Sequence, residues 1–241
     1  MRQFFHATLM VLSVSCSQSQ TTSSTAETTT TESAATAQTQ TTATQVTATA
    51  APEHTMQPTP AQENSMANDQ DKVAVLHTSE GDITIRFFPD VAPKHVKNFL
   101  TLAQSGFYNG TKFHRIIPGF MVQGGDPNTK TDNTSSWGTG GSGSNIDAEF
   151  NSISHKRGIV SMARSNSPNS ASSQFFIVVK DSTFLDRQYT VFGQVTNGMD
   201  VADKIVNAQR DQSNDRPFKP VAIKSITIRA ANADEKGPKP Q

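Results

Sequence analysis

From residue 72 onward, apolar and polar positions follow clear periods. KVAVLHT and, beyond Glu80-Gly81, DITIRFF alternate with a period of two, which predicts a β-hairpin. In APKHVKNFLTLAQSG the apolar positions Val96, Phe99, Leu100 and Ala103 recur every three or four residues, so they share one helical face. Pro93 suits the first turn of that helix and Gly106 its stop. KFHRII and FMVQGG predict two short strands broken at Pro118-Gly119, and a Gly/Ser/Asn/Thr-rich loop fills Asp126 to Ser144. GIVSMA, QFFIVV and YTVFGQV read as strands, MDVADKIVNA as a second helix and VAIKSITIRA as a closing strand. Many short strands with two helices predict one closed antiparallel barrel whose ends the helices plug. The tail from Asn232, with Gly237, Pro238 and Pro240, is expected to be disordered.

Upstream the texture is different. Fourteen of the 34 residues from Ser17 to Ala50 are Thr, and no Phe, Tyr or Trp occurs between Phe5 and Phe87. Such a segment cannot bury enough apolar surface to offset the entropy of ordering it. Residues 17–70 are therefore expected to be a disordered linker, serving as a tether or a plain spacer. As a coil they would span roughly 40 Å on average. Residues 1–16, MRQFFHATLMVLSVSC, have a positive start at Arg2 and a mostly apolar run from Phe4 to Val14, the layout of an export signal.

A cysteine directly after the apolar run, followed by a polar tract, resembles a bacterial lipoprotein signal, which implies lipidation at Cys16. That pattern wants Leu three places before the Cys, where this chain has Ser13, with Leu12 one place too early. An ordinary cleaved signal is the alternative. The expectation is an exported chain, anchored as a lipoprotein in a bacterial cell envelope, or else soluble in the periplasm or secreted.

Charge adds little. The linker carries five acidic residues and no Lys or Arg, and residues 71–241 hold 20 basic against 16 acidic side chains. This excess of four without a basic stripe does not point to nucleic acid. One cysteine excludes an intramolecular disulfide, and six scattered His without ligand spacing argue against a structural metal.

The candidate chemistry starts at Arg115, a lone cation among Phe113, Ile116, Ile117, Phe120, Met121 and Val122. Burial cannot neutralise Arg, so a dry site needs a partner for it. It is either a strand-end residue reaching to solvent, a partner for an internal carboxylate, or a donor waiting at an apolar pocket. By alternation Met121 and Gln123 share one strand face, and Phe120 and Val122 the other. Phe120 thus reaches a pocket with Met121 only if the chain bends near Pro118-Gly119. Phe175 and Phe176 also point oppositely, Phe175 as core and Phe176 toward the pocket. His114 reads as structural rather than as an acid–base group. GTGGSG, from Gly138 to Gly143, lacks the Lys of a phosphate loop and reads as a flexible loop.

FHRIIPGFMVQGGDP, SMARSNSPNSASSQFFI and FLDRQYTVFGQVTNGMDV resemble the motifs of the cyclophilins, a family of peptidyl-prolyl cis-trans isomerases. The similarity covers roughly Lys72 to Ala230, within a domain taken as residues 71–231, with a disordered tail at 232–241. It implies a closed eight-stranded antiparallel β-barrel capped by two α-helices, with the active site on its outer face. Arg115 corresponds to the catalytic arginine, and Phe120, Met121, Phe176 and Leu185 to the proline pocket. Gln123 corresponds to the residue that hydrogen-bonds substrate backbone. Ala163 and Gln174 line the neighbouring groove, and the backbone at Arg164 anchors the peptide. Phe184 stands where the best-known eukaryotic members have Trp, and Tyr189 where they have His; both resemble bacterial members. Phe184 lacks the indole N–H that contacts cyclosporin in the family, which implies weak cyclosporin binding.

The resemblance implies proline-containing peptides and unfolded proteins as partners, no cofactor and no metal, and a chain acting as a monomer on exported or envelope proteins as they fold. Contact with a membrane would come only through the N-terminal lipid. The other reading is a binding module of the same fold, which holds proline-containing segments and turns them over incidentally.

Overall fold

A computed structural model describes residues 69–237; the export signal, Cys16, all of the linker but its last two residues and the last four residues of the tail lie outside the described residues. The hairpin forms as β1 (Lys72–Thr78) and β2 (Asp82–Phe87). The first helix, α1, runs Pro93–Gln104 and buries Val96, Phe99, Leu100 and Ala103. No side chain of its own caps its start. Glu149, far along the chain, accepts from the backbone N–H of Lys94 and of His95, each at 3.0 Å, and so satisfies two of the helix's orphan donors. Gly106 ends the helix at φ +72°, a left-handed position that favours glycine.

Six further strands complete the main sheet: β3 (Arg115–Ile117), β4 (Met121–Gly124), β5 (Ile159–Met162), β6 (Phe175–Val178), β7 (Val191–Asn197) and, at the end, β10 (Ile223–Ala230). The second helix, α2, is Met199–Val206, and a two-residue pair, β8 (Arg210–Asp211) with β9 (Arg216–Pro217), precedes β10. The eight-stranded sheet is antiparallel with the order β10-β1-β2-β7-β5-β6-β4-β3. Register shifts at His77/Thr78, Thr84/Ile85 and Val160/Ser161 mark bulges, which sharpen local twist and curl the sheet.

The expected closure of the barrel does not hold. The order ends at β3 and β10, which do not pair with each other. The chain just before each strand meets instead: Phe113 N–H donates to Val221 O at 3.0 Å and Ile223 N–H to Thr111 O at 2.8 Å, around one bridge between Lys112 and Ala222. Strand β3 is only three residues long, and the N–H of its Ile116 is taken by Asp215 O at 2.9 Å, so it has no ladder left for β10. The result is a curled half-barrel with two helices.

The tail also departs from expectation. Residues 232–237 are not without structure: Ala233–Glu235 form a 3-10 turn, and Glu235, 6% exposed, pairs with Arg229 at 2.6 Å. A carboxylate from beyond β10 thus pins the last strand. The β8–β9 pair was not foreseen, since two-residue strands carry no periodicity.

Inside the curl, the two helices and the inner sheet face form one core. Phe99 is its hub, with ring centroids 5.1–5.6 Å from Tyr108, Phe175, Phe192 and Phe87. Aromatic clusters of this kind combine large area with favourable edge and tilt geometry. Phe99→Ala should therefore cost about 3–5 kcal/mol of unfolding free energy. Phe218→Ala, at a ring 68% exposed, should change it by no more than about 0.5 kcal/mol. Urea unfolding of both variants measures the contrast, and equal losses would contradict this placement of the core.

Candidate active site

A second apolar cluster lies on the other face of the sheet. Met121, Phe176, Val178 and Leu185 are buried there with Phe88, Ile153, Ile159 and Val191, and Phe120, Ala163 and Tyr189 pack against them. Register builds the site on this face. Arg115 stands opposite Gln123, Gln123 opposite Phe176, and Phe176 opposite Ser161. Directly opposed residues share a face, so these four form one rung across four strands. The partners of the next rung, Phe175 with Gly124 and Met162, face the inner core. Phe175 and Phe176 therefore divide between core and pocket as alternation predicts.

Three members of the rung, Arg115, Gln123 and Phe176, line a cavity of about 290 Å³, at the small end of ligand sites, and Ser161 is buried outside it. Arg115, Phe120, Met121 and Gln123 line the cavity. Phe176, Ala163, Arg164, Phe184, Leu185 and Tyr189 complete the lining. Phe120 joins them because the chain turns at Gly119, φ +74°, with Phe120 N–H donating to Ile117 O at 3.0 Å. Its ring then lies 5.4 Å from that of Phe184, which is 64% exposed. Tyr189 meets the Phe176 ring edge-on at 5.6 Å, and the Arg164 guanidinium covers Tyr189 at 4.9 Å.

Gln174 lies outside this cavity. It lines a neighbouring one of about 250 Å³ that shares Gln123, Ala163 and Arg164 as a partition and adds Ser165, Ser170 and Ser172. Gln123 donates through Nε2 to Gln174 Oε1 at 2.9 Å, and Gln174 donates to the carbonyls of Gly138 and Gly140 at 3.0 and 2.8 Å. The Gly-rich loop is accordingly tied down rather than loose. Buried Asp126 accepts from Asn128 N–H and Gly138 N–H, and a Cβ on Gly140 would meet Asp126 Oδ1 at 2.2 Å. Only glycine fits so close to that carboxylate.

Arg115 is about two-fifths exposed, and among the described residues its guanidinium makes no hydrogen bond within the chain. Of the three readings of Arg115, an internal carboxylate is close by: Asp215 lies beside it, with Oδ2 3.9 Å from Nε. That contact spans a hundred residues and had no signal in the local pattern.

A second feature escaped the sequence reading. His155 Nδ1–H faces Asp186 Oδ1 at 2.9 Å, and Ser161 Oγ lies 2.9 Å from His155 Nε2. This resembles a nucleophile–base–acid chain, but Ser161 and His155 are fully buried, so no substrate reaches the hydroxyl. The chain is structural: the His155 ring stacks against Phe176 at 6.2 Å, and Asp186 follows Leu185, so it ties two pocket residues together from behind. Burial lowers the affinity of His155 for a proton, and Asp186 restores it only in part. Asp186 itself is pushed up by burial but held below the usual carboxylate range by bonds from His155 N–H, Ser154 and the His155 ring. His114 is also held low, chiefly by burial, and among the described residues neither of its ring nitrogens is hydrogen-bonded.

Residues 73–228 match the family described as cyclophilin type peptidyl-prolyl cis-trans isomerase/CLD. A probable peptidyl-prolyl cis-trans isomerase of Brucella abortus is 43% identical over 175 residues, covering 70% of this chain and 89% of that protein. The human peptidylprolyl isomerase domain and WD repeat-containing protein 1 is 41% identical over 180 residues, which are 73% of this chain but 26% of that one. Among solved structures, a cyclophilin type peptidyl-prolyl cis-trans isomerase of Cryptosporidium parvum, crystallised in the presence of the dipeptide Ala-Pro, superposes with a TM-score of 0.60 at 34% identity. That match covers 66% of this chain and 99% of the other.

His114 and His155, both buried, set a pH dependence. Both titrate below their ordinary value of 6.5 in the folded chain, so between the two values the unfolded chain binds protons that the folded chain refuses. Stability should be fully present above about pH 6.5 and fall as the pH drops below it. Urea unfolding at about pH 7 and about pH 5 should show this loss, with a smaller loss in His114→Phe. Equal stability at the two pH values would contradict the neutral, buried state of these rings.

Proposed function

Because the chain belongs to the cyclophilin-type peptidyl-prolyl cis-trans isomerase family, we propose that it catalyses rotation about X-Pro bonds in the cavity floored by Arg115, Gln123 and Phe176, with Arg115 as the catalytic residue. The observation that carries the assignment is an arginine that, among the described residues, makes no hydrogen bond and lines one cavity with Phe120, Met121, Phe176 and Leu185.

Rotation about the bond is slow because the amide C–N has partial double-bond character, with a barrier of about 18–20 kcal/mol. No covalent bond has to form or break. A catalyst needs only to favour the twisted amide over both planar forms. On twisting, the prolyl nitrogen becomes pyramidal and regains a lone pair, to which a guanidinium N–H of Arg115 donates; the planar amide scarcely offers that acceptor. Met121, Phe176 and Leu185, all buried, form a rigid wall for the ring, with Phe120 at its edge. Their apolar surface excludes water and strengthens the contact. Gln123, held from behind by Gln174, and the backbone beside Ala163 and Arg164 fix the flanking peptide while the other side turns.

The same reading makes the chain a monomeric folding assistant for exported or envelope proteins, tethered through a lipidated Cys16 and the 54-residue linker. What supports it is the sequence of residues 1–70, with its short apolar run ending at a cysteine before a polar tract. Cyclosporin binds weakly on this reading, since Phe184 offers no donor.

In full-length protein, Arg115→Ala should lower kcat/KM on a short X-Pro peptide by about 10²-fold, or about 2.7 kcal/mol, with peptide affinity changed far less. A variant as active as wild type would remove Arg115 from the chemistry, and a folded wild type without acceleration would leave only a binding module. Calorimetric titration with cyclosporin should give weak binding, and tight binding would contradict the reading of Phe184. When the full chain is expressed in a bacterium it should fractionate with membranes, and Cys16→Ser should move it to the soluble fraction. Wild type recovered as soluble protein would indicate an ordinary cleaved signal instead.

A further inference from the structure

Two non-glycine residues among those described hold a left-handed backbone, Arg187 and Asp215, both at φ +59°. This conformation is unfavourable for residues with a Cβ and persists only where the surroundings demand it. At Asp215 three contacts converge. Its carbonyl accepts from Ile116 N–H at 2.9 Å, which docks the β8–β9 turn on the strand residue next to Arg115. Its Oδ1 accepts from Arg210 Nε at 3.2 Å. Its Oδ2 is then left facing Arg115 Nε at 3.9 Å. The turn is fixed on its far side as well, where Asn214 accepts from Arg216 N–H at 3.0 Å and the Arg216 guanidinium stacks over Trp137 at 5.5 Å.

We propose that Asp215 is a positioning residue for the isomerisation, acting through Arg115. The inference rests on the assignment of Arg115 to the twisted amide. A half-exposed arginine has many rotamers, and few of them present a guanidinium edge to a bound prolyl nitrogen. A carboxylate on the Nε side biases the planar fork, so that the terminal amino groups are turned toward substrate. The spacing matters. At full hydrogen-bonding distance Asp215 would compete with substrate for the donors. At 3.9 Å, with Oδ1 already held by Arg210, it steers the cation without capturing it. The left-handed backbone is what brings carbonyl and carboxylate to the same strand end.

The test uses the full chain and two variants that keep the backbone conformation. Asp215→Asn keeps the shape and tolerates the left-handed region, while Asp215→Gly removes the side chain altogether. Each should lower kcat/KM on an X-Pro peptide by about fivefold, equivalent to about 1 kcal/mol, the upper worth of an exposed ion pair. Peptide affinity and the thermal midpoint should stay close to wild type. In the Arg115→Ala background the same changes should have no further effect on residual activity. Wild-type turnover in both Asp215 variants, or a parallel loss of turnover, affinity and thermal midpoint, would overturn the proposal. An equal fivefold loss with and without Arg115 would also overturn it, because Asp215 would then not act through the guanidinium. If Arg115→Ala itself kept wild-type turnover, the assignment of Arg115 would fall, and that result is distinct from the others.

Discussion

The rung Arg115–Gln123–Phe176–Ser161 is the constraint on which the site depends. Four residues from four strands share one face only because the antiparallel register aligns them, and a slip of one residue in any pair would send a partner to the opposite side. The inner core enforces that register. Phe175, Val122 and Ile116, one step away on the same strands, are buried among the helices and cannot exchange faces with their neighbours without losing that burial. The geometry that would hold a proline ring is thus maintained by hydrophobic burial on the far side of the sheet.

Around the rung, polar residues serve as fasteners. Asp126 holds the Gly-rich loop, that loop receives Gln174, and Gln174 holds Gln123. Asp186 and His155 secure the opposite wall through Ser161 and the ring of Phe176. These groups are buried or partly buried, and each is hydrogen-bonded, as polar atoms removed from water must be. Arg115 is the exception, a cation at the rim with a carboxylate near it but no bond. A site that ties down the polar side chains behind its walls and leaves the Arg115 guanidinium open suits a reaction whose only demand is a hydrogen bond that becomes available when an amide twists.

Most elements were legible because their signals are local. The 3.6-residue spacing of Val96, Phe99, Leu100 and Ala103 and the alternation in KVAVLHT each report the side of an element that meets the core. The bend at Gly119 was also legible as a condition, since Phe120 could join Met121 only if the chain turned there, and it does. The pocket residues were legible for a different reason: their motifs resemble those of a family whose geometry they carry with them. Barrel closure was misjudged because strand count says nothing about whether the last edges pair. The turn at Ala233–Glu235 was not legible because a Pro/Gly-rich composition hides one carboxylate, Glu235, that finds Arg229.

By itself the sequence determined the elements, the faces they bury and the identity of the cavity's residues, because periodicity, turn chemistry and motif are properties of neighbouring positions. Only the tertiary structure decided that the sheet stays open between β3 and β10, that Glu149 caps α1, that Asp186 reaches Ser161 through His155, and that Asp215 stands beside Arg115. Each of these joins residues far apart in the chain through a bond of a few ångströms. No local pattern encodes such a bond; it follows from the curvature and register of the whole sheet, which every strand sets together.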